Sequence, residues 1–378
     1  MRDGTIGMSD FKQLQTPLFI CEMQKLEENL KLLAEIQSHS GVKILLALKG
    51  FSLHVSFPLI AKYLYGASAS SLNEARLAKE KFAKEVHIYC PAYKEDEIDE
   101  IAEISDSLIF NSLSQYKRFY SRVKDKTSCG LRINLEIPFD IPEHCNPNRK
   151  QSRLGVLADT LEELPVGIEG FHVHALCSQK SDAFEMILEA LEKQFSKQLK
   201  QLKWVNFGGG HALTCKDYDR EHLIQLLQDF QNRYPYLTLY MEPSEAIVNN
   251  SGVLVASVLD IVHNEIDIAI LDISVEVHMT DVMLTKNPPQ VRDSSQNGKY
   301  RYQLAGCSCA AGDIFGEYSF DNSLHVGDKI IFENQMAYSM VKNTSFNGIN
   351  PASIATKELH TDIKLHKIFT YEDYLSRI

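Results

Sequence analysis

Hydrophobic and polar positions follow two alternating periods between residues 42 and 244. Short apolar, β-rich runs are each followed by a segment whose apolar residues recur every three or four positions, as on one face of a helix. The helical segments include SLNEARLAKEKF, KEDEIDEIAEIS, LSQYKRFYSRV and SDAFEMILEALEKQFSKQLKQL. The predicted strands are VKILLALKG (42–50), LYGASASS (64–71), EVHIYCPAY (85–93), SLIFNS (107–112), CGLRINLE (129–136), GIEGFHVHAL (167–176), KWVNFGGG (203–210) and LTLYMEPS (237–244).

This alternation predicts an α/β fold. Continuous apolar strands are typical of a parallel sheet that is covered by helices. Eight strand–helix units within about 210 residues are what a (β/α)8 barrel of the TIM type needs. A doubly wound open sheet is the alternative that the pattern leaves open.

The pattern changes after residue 250. The runs SGVLVASVLDIV, DIAILDIS, YRYQLAG, KIIFENQ and YSMV are separated by polar turns with almost no helical period, which predicts an antiparallel β-domain. TPLFICEM (16–23) is a lone strand before the first helix, and we expect it to pair with that domain. The predicted domains are a barrel over 25–250 and a β-domain formed by 8–24 and 251–378, with Met8 as a candidate start.

Composition narrows the class of protein. Hydrophobic residues make up 44% and charged residues 24%, as in ordinary globular proteins, and no apolar run is long enough to predict a membrane span. The net charge of −11 argues against a nucleic-acid partner and permits a cationic ligand. The eight cysteines are scattered apart from the pair at 307 and 309, and no export signal is visible, which predicts a reducing cytoplasmic compartment.

Polar residues at the carboxyl ends of barrel strands are the candidates for chemistry, because active sites of such barrels lie at that end. Lys49 follows the first strand, and burial there would favour a nucleophilic amine suited to a Schiff base. The simpler alternative is a lysine that reaches solvent. The other candidates at strand ends are Ser70, Ser71, Arg132, His172, His174, Gly208–Gly210 and Glu242.

Three further signals accompany Lys49. The glycines of FGGG allow backbone N–H groups to converge on an anion, unless they only form a flexible turn. His172 and His174 share one strand face. They could be metal ligands, hydrogen-bonded core histidines or a flat partner for an aromatic ring. Glu242 lies beside this anion site, which suits a ligand that carries both a phosphate and a basic nitrogen. Together these residues predict pyridoxal phosphate as the cofactor and no metal.

The motifs resemble those of the fold III pyridoxal-phosphate decarboxylases. ALKG, FHVH, NFGGG, EPSEA, GCSCAAGD and MAYSMVKNTSFNG occur in that family's order, from about residue 16 onward. The family includes ornithine, diaminopimelate and arginine decarboxylases and, more remotely, alanine racemase. ASASSLNEARL and HVHALCSQ most resemble its carboxynorspermidine and carboxyspermidine decarboxylases. The resemblance implies decarboxylation of such a substrate in spermidine biosynthesis, by a homodimer with shared active sites.

The resemblance also implies a role for each matching residue. Lys49 would hold the cofactor covalently, His172 would stack on its ring, and Glu242 would pair with the ring nitrogen. Cys309 would reach the neighbouring subunit's site and act in catalysis, whereas Cys307 is expected to be a small buried residue. Contacts with the cofactor phosphate are implied for Gly208, Gly209, Gly210 and Tyr338.

Departures from the ornithine enzymes point to a different substrate. Glu245 stands where those enzymes carry an arginine, and Ala310 stands where they carry an acid, so a longer polyamine-like chain is favoured over ornithine. Asp313 would either meet a substrate amine or shape its own loop. Diaminopimelate or another basic amino acid is the alternative substrate; a catalytically dead regulatory homologue and a metal-dependent barrel hydrolase are alternatives of other classes. The predicted substrate-binding residues are Cys177, Gln179, Glu245, Asp281 and Asp313.

Overall fold

The computed structural model describes residues 14–378, apart from the side chain of His144. Two compact units divide the described chain, one over Glu28–Ile247 and one formed by 14–27 with Val248–Ile378. Residues 8–13, which the sequence assigned to the β-domain, and the candidate start at Met8 lie outside the described residues.

The strands alternate with helices in the first unit and follow one another in the second. The helices are α1 Met23–Ser40, α2 Phe57–Ile60, α3 Leu72–Leu77, α4 Ile98–Ile104, α5 Leu113–Val123, α6 Ser181–Leu199, α7 Arg220–Arg233, α8 Ser244–Val248, α9 Val275–His278, α10 Thr280–Thr285 and α11 Tyr371–Leu375. The strands are β1 Leu18–Glu22, β2 Lys43–Ala47, β3 Gly66–Ala69, β4 Glu85–Tyr89, β5 Ser107–Phe110, β6 Ser128–Asn134, β7 Val156–Leu157, β8 Ile168–His172, β9 Trp204–Asn206, β10 Thr238–Met241, β11 Gly252–Asn264, β12 Ile266–Leu271, β13 Tyr300–Ala305, β14 Ile314–Phe320, β15 Lys329–Phe332, β16 Ser353–Lys357 and β17 Lys364–Lys367.

The parallel strands of the first unit close into a barrel. Its strand order is β5-β4-β3-β2-β10-β9-β8-β6, and an additional pairing of β5 with β6 completes the ring. The first strand, β2, pairs with β3 on one side and with the last strand, β10, on the other. The predicted (β/α)8 barrel is therefore confirmed, and the open-sheet alternative is wrong because an open sheet leaves two unpaired edges.

Two barrel helices begin with the same local signal. Ser71 accepts a hydrogen bond from Glu74 N, and the Glu74 carboxylate returns to Ser70 N at 2.6 Å. Ser112 likewise accepts from Gln115 N, and Gln115 returns to the backbone N of Asn111. Such reciprocal caps satisfy the free N–H groups of the first turn and stabilise a helix start by about 1 kcal/mol.

Alternate residues of the barrel strands point into its interior, as the two-residue period of a strand requires. Trp204, the single tryptophan of the chain, fills part of this space and is 5% exposed. A Cβ at Gly130 or Gly170 would overlap its indole ring, so the strands beside it carry glycine. Leu45, Ile109 and Tyr240 pack with Trp204 in the same interior cluster.

The second unit is a sheet in which β1 occupies a central place. β1 pairs with β11 in antiparallel fashion and with β16 in parallel fashion, so the predicted pairing of the lone N-terminal strand is confirmed. The sheet order is β14-β13-β12-β11-β1-β16-β17, with β15 on β11. The predicted antiparallel β-domain is confirmed, since most of its strand pairs are antiparallel. Two pairs run parallel, β1 with β16 and β12 with β13, and the short helices α9 and α10 lie between β12 and β13.

No helix within residues 14–378 is long and apolar enough to cross a membrane.

Candidate active site

A cavity of about 760 Å³ opens at the carboxyl ends of the barrel strands. It lies within the barrel unit, and the two-residue period that places Leu45 and Tyr240 in the interior carries Lys49 and Glu242 to the cavity wall. The polar and charged residues of its wall are Lys49, Ser68, Ser70, Tyr89, Arg132, Glu143, Cys145, Asn146, Arg149, Ser152, Arg153, His172, His174 and Glu242.

Lys49 lines the cavity between the barrel walls, and its side chain is exposed there. Burial lowers the pKa of this amine below its ordinary value, the nearby Arg132 guanidinium lowers it further, and the Glu242 carboxylate opposes both. A lysine with a lowered pKa has a larger neutral, nucleophilic fraction near neutral pH. This lowered pKa suits the predicted covalent role of Lys49, which stays a prediction.

Glu242 is a buried carboxylate with defined partners. Its Oε1 accepts a hydrogen bond from Asn206 Nδ2 at 2.7 Å, and its Oε2 lies 3.7 Å from Nε2 of His172. Burial would raise the pKa of Glu242, but the interactions with His172, Lys49 and Asn206 outweigh it and lower the pKa to about 2. Glu242 is therefore ionised at neutral pH and can accept a hydrogen bond from a protonated ring nitrogen.

The two histidines of FHVH lie in different environments. Their rings are parallel within 3° and their centroids are 6.2 Å apart. His172 is 2% exposed and packs against Tyr89 at 5.2 Å, whereas His174 is partly exposed to the cavity and its Nδ1 accepts a hydrogen bond from Gly209 N at 2.8 Å. Burial lowers the pKa of both imidazoles, so both are neutral at neutral pH. His174, which received no role from the sequence, is the ring that contacts the glycine segment.

The glycine segment closes tightly around its neighbours. Gly208 and Gly210 have φ values of 66° and 85°, in the region that favours glycine. A Cβ at Gly209 would lie 2.5 Å from the carbonyl oxygen of Glu242, and one at Gly210 would overlap the carbonyl of Leu176. These contacts leave room for backbone alone, as a cradle for an anion requires.

The loop after β8 holds two of the predicted substrate contacts and is anchored to a third. Gln179 N donates to Gly210 O at 2.9 Å, and Gln179 Nε2 donates to Cys177 O. Ser178 Oγ donates to Glu245 Oε2 at 3.0 Å, so Glu245 holds this loop. Burial is the largest cause of the raised pKa of Cys177, about 12, with the adjacent Cys145 thiol next, so Cys177 is neutral near pH 7.

The predicted residues of the second unit form a group of their own. Lys342 Nζ lies 4.7 Å from the ring centroid of Tyr338 and 2.6 Å from Asp281 Oδ1, which links two of them. The motif residue Cys309 is exposed, and its backbone N donates to Asn347 Oδ1 at 2.8 Å. Segments 281, 309 and 338–347, which are distant in sequence, are thus joined through contacts within one unit.

Asp313 is buried rather than free for a ligand. It is 3% exposed, its Oδ1 accepts from Val275 N at 2.7 Å, and its Oδ2 accepts from Ser308 N at 3.0 Å. Because both carboxylate oxygens bind backbone N–H groups, the geometry favours the loop-shaping alternative for Asp313. Cys307, in the same loop, is half-buried, and burial raises the pKa of its thiol.

Several cavity residues had no role in the sequence-based reading. Arg132 lies over the ring of Tyr89, 4.5 Å from its centroid, and donates from Nη2 to the carbonyl of His174. Glu74 lies close enough to Lys49 to affect its pKa, and burial raises the pKa of Glu74 itself. Arg132 was visible as a polar residue on a predicted strand, but the loop over residues 135–155 has no periodicity and gave no signal.

The residues present fit pyridoxal phosphate. Both ring nitrogens of His172 are buried without a hydrogen-bond partner in the described structure, as expected of a flat ring that packs against another ring rather than donating. A nucleophilic amine, a glycine cradle and an ionised buried carboxylate surround the same end of the barrel. No group of three or more His, Cys, Asp or Glu side chains in residues 14–378 is arranged to hold a metal ion.

The chain is similar to known decarboxylases over nearly its whole length. The family model described as pyridoxal-dependent decarboxylase, C-terminal sheet domain, matches residues 20–335. Carboxynorspermidine/carboxyspermidine decarboxylase of Campylobacter jejuni subsp. jejuni serotype O:6 is 43% identical over 97% of this chain and 99% of its own. Carboxyaminopropylagmatine decarboxylase of Synechocystis sp. is 41% identical over 97% and 96%.

Solved structures agree with this similarity. The crystal structure of carboxynorspermidine decarboxylase from Campylobacter jejuni, complexed with norspermidine, superposes with a TM-score of 0.91 at 42% identity, over 97% of this chain and 100% of that chain. Diaminopimelate decarboxylase from Helicobacter pylori, complexed with L-lysine, has a TM-score of 0.83 over 97% and 98% of the two chains; at 19% identity it shares the fold alone.

Fold and family together define a barrel enzyme that uses pyridoxal phosphate. The chain belongs to the pyridoxal-dependent decarboxylase family, as the family match and the full-length relatives show. It is a decarboxylase that depends on pyridoxal phosphate.

Proposed function

We propose that this chain removes CO2 from a carboxylated triamine, carboxynorspermidine or carboxyspermidine, and releases norspermidine or spermidine in polyamine biosynthesis. The observation that carries the proposal is the similarity, at 43% identity across 97% of the chain, to a relative of that name. The norspermidine bound in the related crystal structure supports a product of this length and charge.

The barrel residues have properties that suit this reaction. Pyridoxal phosphate, when bound, supplies an electron sink for the electron pair that the departing CO2 leaves behind. Lys49 would provide the amine that binds the cofactor and is exchanged for the substrate amine. Glu242, ionised because its pKa is about 2, would accept a hydrogen bond from the cofactor ring nitrogen. His172 and His174, both neutral, would present flat faces without adding positive charge.

Binding of the phosphate is assigned to the glycine segment and to Tyr338. Gly208, Gly209 and Gly210 would supply backbone N–H groups, and His174 would orient Gly209, whose N–H it accepts. Glu245 stands where the ornithine enzymes carry a cation, but its carboxylate is bound by Ser178. We therefore assign Glu245 to holding the loop with Cys177 and Gln179 against the site, from which these two residues would contact substrate.

The working form is proposed to be a cytoplasmic homodimer. The exposed thiol of Cys309 would enter the partner subunit's site and protonate the product carbon or position the carboxylate, with Asp281 as a further substrate contact. All eight cysteine thiols are free in the structure, which suits a reducing compartment. Sedimentation of the purified enzyme, and complementation between Lys49→Ala and Cys309→Ala subunits mixed together, would test the shared sites. Mixtures with no more activity than either parent would count against them.

A second substrate follows from a specific similarity. The relative that is 41% identical is named carboxyaminopropylagmatine decarboxylase. That substrate name implies a guanidinium in place of a terminal ammonium, and both ends are cationic and hydrogen-bond to carboxylates. Carboxyaminopropylagmatine is therefore the second candidate substrate.

Turnover of competing substrates decides between these proposals. The enzyme, loaded with pyridoxal phosphate, would be assayed for CO2 release from carboxynorspermidine, carboxyspermidine, carboxyaminopropylagmatine, meso-diaminopimelate, ornithine and arginine. We expect kcat/KM for a carboxylated triamine to exceed that for ornithine by at least about 10²-fold, because unpaired buried polar groups penalise a shorter chain. Preference for meso-diaminopimelate would overturn the substrate while leaving the cofactor assignment in place.

A further inference from the structure

The loop over residues 135–155 forms one wall of the cavity and is fastened in its second half. Asn134, which precedes the loop, donates from Nδ2 to Pro147 O, and Asn148 Nδ2 donates to Ala175 O at 3.1 Å. Near the end of the loop, Asn111 Nδ2 donates to Arg153 O at 2.9 Å and Asn111 Oδ1 accepts from Gly155 N at 2.8 Å. Arg149 lies between these anchored positions, Glu143 lies in the turn that the bond from Asn134 to Pro147 closes, and both line the cavity.

Charge is distributed unevenly over the cavity wall. Lys49 and Arg132 are cations of the barrel wall, and Arg149 and Arg153 add two more from the loop. The carboxylates among the lining residues are Glu242 and Glu143. Glu242 is committed to Asn206 and faces His172, so Glu143 is the lining carboxylate whose position at the mouth suits a cationic ligand.

Glu143 is held by a weak and exchangeable partner. Its Oε1 lies 3.3 Å from Nη1 of Arg149, and the two side chains are 81% and 41% exposed. Ion pairs that are this exposed contribute at most about 1 kcal/mol, because water screens them and two long side chains lose freedom. An ammonium group of a bound ligand can therefore replace Arg149 as the partner of Glu143 with a small loss of free energy.

Carboxylates assigned earlier to the distal amine are already engaged. Asp313 binds two backbone N–H groups and is buried, Glu245 accepts from Ser178, and Asp281 is paired with Lys342 at 2.6 Å. Glu143 differs from these three because it lines the cavity and its partner, Arg149, lies 3.3 Å away. A ligand that reaches from Lys49 toward the mouth stays within one cavity of about 760 Å³.

We propose that Glu143 is a specificity residue that binds the distal ammonium of the triamine, and that Arg149 competes with that ammonium for it. The inference rests on the proposed function and adds to it a receptor for the end of the substrate that does not react. The substrate would lie with its carboxylate end near the guanidinium of Arg132, which repels ammonium groups, and with its distal end at Glu143. The arrangement favours substrates with two or more cationic groups separated by flexible chain.

The proposal is tested with full-length enzyme loaded with pyridoxal phosphate, carrying Glu143→Gln or Arg149→Gln. For Glu143→Gln we expect KM for carboxynorspermidine to rise about tenfold with kcat within about twofold, because one charge-assisted hydrogen bond is lost. Calorimetric binding of norspermidine should weaken by a similar factor. For Arg149→Gln we expect the opposite sign, with norspermidine bound about threefold more tightly, because the competing cation is removed.

Asp140→Asn is the matched control. Asp140 lies in the same loop, is exposed and is outside the cavity lining, so its loss changes net charge equally without removing the receptor. KM for ornithine, whose distal amine is nearer to the reacting carbon, should respond less to Glu143→Gln than KM for carboxynorspermidine. This difference separates a receptor at the mouth from a general loss of negative charge.

Each outcome bears on one of the two proposals. Equal norspermidine affinities for wild type, Glu143→Gln and Asp140→Asn would overturn the role of Glu143 and leave the proposed function standing. Weaker binding by Arg149→Gln would overturn the competition between Arg149 and the ligand. A wild-type enzyme that neither binds norspermidine nor decarboxylates carboxylated triamines would overturn the proposed function and the inference together.

Discussion

Two lysines at opposite ends of the first barrel strand have pKa values that shift in opposite directions. Lys43 begins β2, and its Nζ lies 3.0 Å from Glu85 and 3.5 Å from the hydroxyl of Tyr240. Lys49 follows the other end of that strand and lines the cavity. Burial lowers the pKa of both amines, but the contacts with Glu85 raise that of Lys43 overall, whereas Lys49 has Arg132 nearby and its pKa is lowered.

The two barrel ends also carry carboxylates with similar pKa values but different surroundings: Glu85 is partly exposed, whereas Glu242 is buried. The pKa of Glu85 is lowered to about 2, mainly by His87 and further by Lys43. Glu242 reaches about 2 through His172, Lys49 and Asn206. Glu85 is matched by a lysine that stays charged, whereas Glu242 faces an amine that loses its proton readily.

The two ends of the barrel differ in function: the charged groups at the amino end stabilise the fold, and those at the carboxyl end form the candidate reactive site. At the amino end of the strands, the opposite charges of Lys43 and Glu85 are paired directly. At the carboxyl end, burial lowers the pKa values of Lys49, His172 and His174. An amine that must form a new bond cannot already be held as a charged partner in an ion pair. We therefore expect the reactive amine at the carboxyl end of the barrel.

The largest effect is expected for the lysines themselves. Lys49→Ala should abolish the visible absorbance of the bound cofactor and lower kcat by at least about 10³-fold, because the nucleophilic amine is lost. Lys43→Ala should leave kcat within about threefold and lower the free energy of unfolding by about 1 kcal/mol, as for a partly exposed ion pair. Absorbance spectra and turnover measure the cofactor binding and kcat of the two variants, and denaturant unfolding measures their stability. A Lys49→Ala enzyme that keeps its absorbance and activity would show that the two lysines do not differ in this way.

The next largest difference is expected in kcat between variants of the two carboxylates, Glu242 and Glu85. Glu242→Gln should lower kcat by about 10²-fold, because a neutral amide no longer stabilises a protonated ring nitrogen. Glu85→Gln, the same change at the other barrel end, should leave kcat within about threefold. Comparable losses of kcat in the two variants, at matched cofactor content, would mean that the amino-end cluster also supports the chemistry.

A smaller effect distinguishes the two histidines. His174→Ala should raise the dissociation constant of pyridoxal phosphate about tenfold, because Gly209 N loses the acceptor that orients it. His172→Ala should instead alter the cofactor spectrum and the pH profile of kcat, because the ring beside Glu242 is gone. Cofactor titration and spectra provide the two readouts. An unchanged spectrum in His172→Ala, with an altered one in His174→Ala, would move the predicted stacking role to His174.

Much of this architecture could be predicted from the order of residues. Because period-two and period-3.6 patterns are local and need only neighbouring residues, seven of the eight barrel strands lie within their predicted runs, and β6 begins one residue earlier, at Ser128. Lys49, the glycine segment and Glu242 could be selected for the same reason, since each ends a predicted strand. The closure of the ring between β2 and β10 could only be inferred from the number of units.

Contacts between distant segments could not be predicted in this way. The hydrogen bond from Asn206 to Glu242 and the stacking of Arg132 on Tyr89 depend on the register between neighbouring strands, which no short window contains. Glu143 lies in a loop whose place at the cavity is fixed by Asn111 and Asn148. Asp313 could be located, but its burial on two backbone donors depends on the fold of its loop.

The smallest effect expected concerns pH and the amino-end cluster. The pKa of Glu85 is about 2 in the folded protein against an ordinary value of 4.5, so the folded state binds this proton less readily than the unfolded chain. Its stabilising contribution is therefore present above about pH 4.5 and is lost as pH falls from about 4.5 toward about 2. Between pH 5 and pH 3.5, Tm of Glu85→Gln should fall by a few degrees less than that of wild type, a modest difference because the pair is partly exposed. Thermal unfolding followed by circular dichroism measures this, with Glu103→Gln, an exposed surface carboxylate, as the matched control. If Glu85→Gln and wild type lost Tm in parallel, the amino-end cluster would not be the paired, stabilising counterpart of the cavity.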